Sequence, residues 1–216
     1  MYDEDFDFNE RDLYDVYQFG NAVNTTIVGH SELGRMFRYC CEHPANNFEL
    51  DIPHFFEGNM SAVLLAMAHQ LNKRGKTLDL SLENSHVLVR NGLVHSLMGE
   101  VNPKITDARK STVQLRTFGQ EDDDAFTGYI QNDFLGHRGN LRNLPASQIK
   151  SITRHYQEIF SNVALHAETE EPVYTCGQFF PRMNKFAFTL CDVGIGFLNK
   201  ISNFTNKIST SREAIE

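Results

Sequence analysis

Two short segments carry side chains whose types and spacing could do chemistry. The first is Glu158-Ile-Phe-Ser-Asn162-Val-Ala-Leu-His166, with a carboxylate, an amide and an imidazole at four-residue steps. On a helix these three stack along one stripe. The apolar set Ile149, Ile152, Tyr156, Ile159, Phe160 and Val163 recurs at three- and four-residue steps and is predicted to face a sheet, with the polar stripe adjacent to it. The plainer account of the same residues is a solvated Glu158 and Asn162, with His166 against the helix dipole. The second segment is Phe186-Ala-Phe-Thr-Leu-Cys-Asp192-Val-Gly194-Ile-Gly196. Its glycines would let backbone approach a ligand closely, and the carboxylate can accept a hydrogen bond from an amino group. A tight turn closing a strand is the plain alternative.

In this order and about thirty residues apart, the two segments together resemble the histidine-kinase-like ATPase superfamily. Its members include sensor kinases, anti-sigma-factor kinases, mismatch-repair clamps and type II topoisomerases. There, a helix with Glu-x-x-x-Asn precedes strands and an Asp-x-Gly-x-Gly turn. The resemblance implies ATP and Mg²⁺ as ligands. It gives Asn162 the metal, as a hard oxygen ligand, and Glu158 the polarisation of the attacking group. It gives Asp192 the adenine amino group, and it places Gly194 and Gly196 against base and ribose. His166 falls where many relatives carry a basic or polar residue near the phosphates. Those relatives continue into a lid and a Gly-rich segment, whereas residues 201–216 here contain no glycine. The expectation is therefore a fragment of a longer protein, with adenine recognition less impaired than phosphate binding and little turnover. ATP hydrolysis or Ser/Thr phosphotransfer is implied for the complete protein. A non-catalytic interaction or scaffold module without nucleotide is the alternative.

A further similarity lies upstream. Phe55-Phe56-Glu57-Gly58-Asn59-Met60-Ser61-Ala62-Val63-Leu64, Gly75-Lys-Thr-Leu-Asp-Leu-Ser-Leu82 and Val89-Arg-Asn91-Gly92 look like a STAS-like region. STAS modules are α/β interaction domains, which implies a protein partner. Ser61 is either a phosphoacceptor or an ordinary helix-start residue.

The elements that must position these segments are α/β throughout. Residues 1–15 carry seven acidic residues against Arg11 alone, which predicts a solvated entry segment. A helix is predicted over 31–44 with Ser31 as its cap. Alternation of Phe48, Leu50 and Ile52 predicts a strand. A helix follows over 60–71, closed by Asn72 and Gly75, and then a strand through Leu78, Leu80 and Leu82 and a short helix over 85–90. Past a polar boundary near 102–110, a strand is predicted over 112–118 with Val113, Leu115 and Thr117 on one face. A helix runs from the acidic 121–124 to about Leu135, a long helix from Pro145 to about Ala167, and a hairpin turns around 181–184. The division expected is an N-terminal segment 1–46, a STAS-like α/β unit 47–110, and a histidine-kinase-like ATPase domain 111–216. The last of these is an α/β two-layer sandwich by resemblance.

Composition narrows the partners. A chain of 216 residues with net charge −8 and pI near 5.6 has no electrostatic footprint for nucleic acid or for an anionic membrane surface. No apolar run reaches the roughly 18 residues of a membrane span. The acidic N-terminus is no secretory signal, and Cys40, Cys41, Cys176 and Cys191 form no Cys-x-x-Cys pair, so a cytoplasmic protein is expected. Gly75-Lys76-Thr77 lacks the glycine five residues earlier that a P-loop needs, since Gln70 stands there. The nine histidines are scattered without zinc spacing, and a homodimer is left open.

Overall fold

The computed structural model describes residues 14–81, 83, 86–99, 107, 110–136, 144–166 and 169–194. The first unit alternates strand and helix: β1 (Tyr14–Gln18), α1 (Ile27–Glu42), β2 (Asn47–Asp51), α2 (Ser61–Asn72) and β3 (Thr77–Leu80). The strands form a parallel sheet in the order β1-β2-β3, with Phe48 beside Leu78 and Leu50 beside Leu80. Phe48, Leu50, Leu78 and Leu80 are buried, while Tyr14 and Val16 on the other face are exposed. Thr26 caps α1 by accepting from the Gly29 N–H. The loop entering α1 is held by Glu32, a buried carboxylate that accepts from the Gly20 N–H, the Asn21 amide and Arg35.

Helix α2 is apolar nearly all round, with Ala62, Leu64, Leu65, Ala66, Ala68 and Leu71 all buried. Such a helix belongs between two layers. One side contacts α1 and β3, and the other contacts the strands of the second unit. Two short helices, α3 (His86–Arg90) and α4 (Leu93–Met98), follow, joined through Gly92 at φ 91°.

The second unit comprises β4 (Thr112–Phe118), α5 (Asp123–Tyr129) with a π-helical continuation over Ile130–Phe134, α6 (Ala146–His166), β5 (Val173–Phe180) and β6 (Lys185–Cys191). Its antiparallel sheet has the order β4-β5-β6, and Asn184 at φ 47° turns the β5–β6 hairpin. Val173 on β5, and Phe186, Phe188 and Leu190 on β6, pack with α5 and α6. Tyr174, Cys176 and Cys191 join the core of the first unit instead. Both faces of this sheet are therefore covered, one by aromatic helices and one by α2. No helix among the described residues is long and apolar enough to cross a membrane.

Several expectations change. Residues 14–46, set apart within the N-terminal segment 1–46, supply β1 of the first sheet and the helix α1 that packs on α2. Helix α1 begins at Ile27 under the Thr26 cap, ahead of the Ser31 expected to cap it. A register shift between Val113 and Arg116 breaks the alternation of β4, so Val113 packs with α5 and α6 while Leu115 turns to the first unit.

Phe160 of α6 anchors the helical layer. It is fully buried, stacked on Phe126 at 4.4 Å and edge-on to Phe118 at 6.3 Å. Phe160→Ala is expected to cost about 3–5 kcal/mol in denaturant unfolding; a loss under about 1 kcal/mol would show that α6 is not packed as described. Glu32 gives a pH test. The hydrogen bond from Asn21, and then those from Arg35 and Gly20, hold its carboxyl below the ordinary range despite burial. A carboxyl lowered on folding contributes stability that is full above its unfolded value and is lost as pH falls through the folded one. The stability gap between the parent and Glu32→Gln should be widest at neutral pH and shrink below about 4.3, the ordinary glutamate value. A gap unchanged down to pH 3 contradicts this.

Candidate functional site

Helix α6 turns Ile149, Ile152, Tyr156, Phe160 and Val163 toward the second core, where Tyr156 meets Phe188 at 5.1 Å and Phe134 at 5.5 Å. Thr153 is buried on the same side. Ile159, expected on that face, is 48% exposed. Glu158 and Asn162 lie two residues either side of Phe160, so at 100° per residue both sit about 160° from it around the helix. Both are exposed. The polar stripe, expected beside the apolar face, is thus on the far side of the helix from the sheet. Glu158 Oε1 accepts from Arg154 Nε at 3.1 Å, while the Asn162 amide has no hydrogen-bond partner among the described residues. His166 is the last residue of α6.

Asp192 stands just past the end of β6. Phe186, Phe188 and Leu190 point toward α6, and residue 192 is next in that alternation. Its neighbours Cys191 and Val193 pack with the first unit. Asp192 is exposed, and its Oδ1 accepts the Gly194 N–H at 2.9 Å, which fixes the turn. Its Oδ2 has no partner among the described residues. Gly196 lies outside the described residues.

Topology brings these groups to one end of the sheet. Helix α6 stops at His166 and β5 starts at Val173, which pairs with Phe118, the residue Phe160 packs against. The following residue of β5, Tyr174, pairs with Cys191 of β6, directly before Asp192. The C-terminal end of α6 and the aspartate turn therefore share one edge of the second unit. The residues present fit a magnesium nucleotide in type. The Asn162 amide oxygen has no hydrogen-bond partner among the described residues, and Mg²⁺ commonly takes only one or two protein ligands, with phosphate and water supplying the rest. Asp192 Oδ2 is an acceptor without a partner among the described residues, while Oδ1 orders its own turn. Among the described residues, no group of three or more His, Cys, Asp or Glu is arranged to hold a metal.

Other features set limits. Two surface cavities, of about 410 Å³ and about 290 Å³, are lined by residues that include Leu65, Arg116 and Asp122 in one and Asp107, Thr112 and Asp133 in the other, and neither includes Glu158, Asn162 or Asp192. Burial, and then the adjacent Asp192 charge, push the Cys191 thiol up to about 11, so it stays protonated and is no nucleophile at neutral pH. Ser61 is fully buried and accepts from Asn91 Nδ2 at 2.8 Å, a structural setting closed to a kinase. Sequence reasoning missed the cross-unit contacts beside the site: Asn59 Nδ2 donates to Thr189 Oγ1 at 2.9 Å, and the Gly58 N–H donates to Gln178. Partners more than a hundred residues apart leave no local spacing signal.

Because Glu158 and Asn162 are exposed and lie outside both cores, Glu158→Ala and Asn162→Ala should each leave ligand-free stability within about 0.5 kcal/mol. Denaturant titration checks this, and a loss above about 1.5 kcal/mol would assign them a structural role. No family model, curated protein or solved structure matches the chain.

Proposed function

We propose that the chain binds ATP with Mg²⁺ at the edge of the second unit where α6 ends and β6 turns. The observation that carries this is topological: α6 ends and β6 passes into the Asp192 turn at the same end of one sheet, with the Asn162 amide exposed on the outer face of α6 and Asp192 Oδ2 without a partner among the described residues. In this arrangement Asn162 presents its oxygen to Mg²⁺, and Asp192 Oδ2 accepts from the adenine amino group. Gly194 brings main chain close to the base. Glu158, four residues before Asn162, lies on the same exposed stripe and is the group able to polarise an attacking water or hydroxyl. Hydrolysis and phosphotransfer to a Ser or Thr make the same demand on that carboxylate.

The first unit is the side for a protein partner. Ile27 and Val28, 86% and 52% exposed, follow β1, and Phe55, 47% exposed, follows β2. The neighbouring Val23 and Phe56 are bridged, so these apolar residues gather at the carboxyl end of the parallel sheet. Exposed apolar groups at such an end suit protein contact.

A thermal-shift series tests the nucleotide reading. A ligand that binds only the folded state at a hundred times its Kd stabilises by about 2.7 kcal/mol, a rise of several degrees for a domain of this size. MgATP is expected to raise the Tm, and Asp192→Asn and Asn162→Ala are expected to reduce the rise. An unshifted Tm at millimolar MgATP would favour the scaffold alternative.

A further inference from the structure

Building on the nucleotide reading, we infer that the first unit holds the Asp192 turn in its binding geometry, with Asn59 as the positioning residue. The short 3-10 turn Gly58–Met60, which leads into α2, is seated against the face of β5 and β6 that looks away from α6. Its main chain is gripped from several directions. The Gly58 N–H donates to Gln178, and the Gly58 carbonyl accepts from Asn91 Nδ2 at 2.9 Å and from the Cys176 thiol at 3.1 Å. The seat is tight: a Cβ on residue 58 would lie 2.9 Å from Val87 Cγ2 and 3.2 Å from Gln178 Oε1.

Asn59 extends this grip to β6. It is fully buried and donates to Thr189 Oγ1, three residues before Asp192. Thr189 shares its strand face with Cys191, and Cys191 and Val193 pack on the first unit's core on either side of Asp192. One face of the strand end is thus tied to the first unit while Asp192 is left toward the other. The choice of an amide is informative. Asn59 Oδ1 is buried with no partner among the described residues, so the side chain carries a desolvation penalty that a packed apolar residue would avoid. Cohesion alone would favour the apolar residue. A directional bond to Thr189 instead fixes where β6 lies along the turn, which is specificity of placement.

Hydrogen exchange of the full chain tests this without nucleotide. Asn59→Ala and Thr189→Val should each raise exchange of the 190–194 amides by roughly fivefold or more while β4 amides stay as in the parent, and Thr189→Ser should restore protection. Thr189→Val decides the matter should Asn59→Ala fail to fold. With nucleotide, the preference for ATP over GTP should fall by roughly fivefold, because the aspartate reads the amino group. Exchange rising equally in β4 and in 190–194, or unchanged in both, would reduce Asn59 to an ordinary packing residue. If the parent itself binds no ATP, the nucleotide reading fails while the exchange result still decides the positioning role.

Discussion

The burial of β5 on both faces is the constraint from which the rest follows. Val173 belongs to the aromatic core under α5 and α6, and Tyr174 and Cys176 belong to the core of the first unit. A strand with period-2 alternation must then satisfy two different layers at once. Gly177 shows how tightly the α6 side of the sheet is filled: a Cβ there would sit 3.0 Å from Val113 Cβ and 3.3 Å from Phe188 Cδ2, its partners on the neighbouring strands. The two sides use different physics. Toward α6 the contact is aromatic and largely non-directional. Toward α2 it combines apolar packing with hydrogen bonds through Gly58, Asn59, Asn91 and Gln178. His69 of α2 adds another such bond, 2.9 Å from the Tyr174 hydroxyl, and burial lowers the imidazole's pKa and keeps it neutral there.

The candidate site is a by-product of that packing. Burying Phe160 and Tyr156 fixes the rotation of α6, and the 3.6-residue period then carries Glu158 and Asn162 outward. Burying Phe188 and Leu190 fixes the phase of β6 and sets Asp192 just beyond its last residue. Neither polar segment is held by its own contacts to the core. Each is aimed by apolar neighbours, which is how a rigid scaffold places exposed groups.

Much of this was legible in the sequence because it is local. The alternation of Phe48 and Leu50, the apolar steps of α6 and the hairpin around Asn184 each reflect one element's own period. β1 was hidden: Tyr14-Asp15-Val16-Tyr17-Gln18 abuts an acidic run, and as an edge strand with one open face it buries too little to sharpen its pattern. The start of α1 was hidden because Ile27 and Val28 are apolar yet exposed, so periodicity pointed past them. The face of β4 was misread because a bulge interrupts the alternation, and no residue type between Val113 and Arg116 announces it. The outward rotation of the α6 stripe is not legible from the apolar set, because that set includes Ile159, which is exposed, whereas Phe160 sets the inward direction. The joining of the two units through Asn59 and Thr189 rests on contacts distant in sequence, which no periodicity encodes.

In the proposed site the C-terminal end of α6 and the Asp192 turn border one magnesium nucleotide at the edge of the second unit. Paramagnetic relaxation with Mn²⁺ in place of Mg²⁺ in the ATP complex addresses that directly, because broadening falls steeply with distance from the metal. The expected result is selective broadening of the Asn162 and Gly194 amides by MnATP, with Val16 and Leu78 of the first sheet unaffected. Broadening centred elsewhere, or none at saturating MnATP, would contradict it.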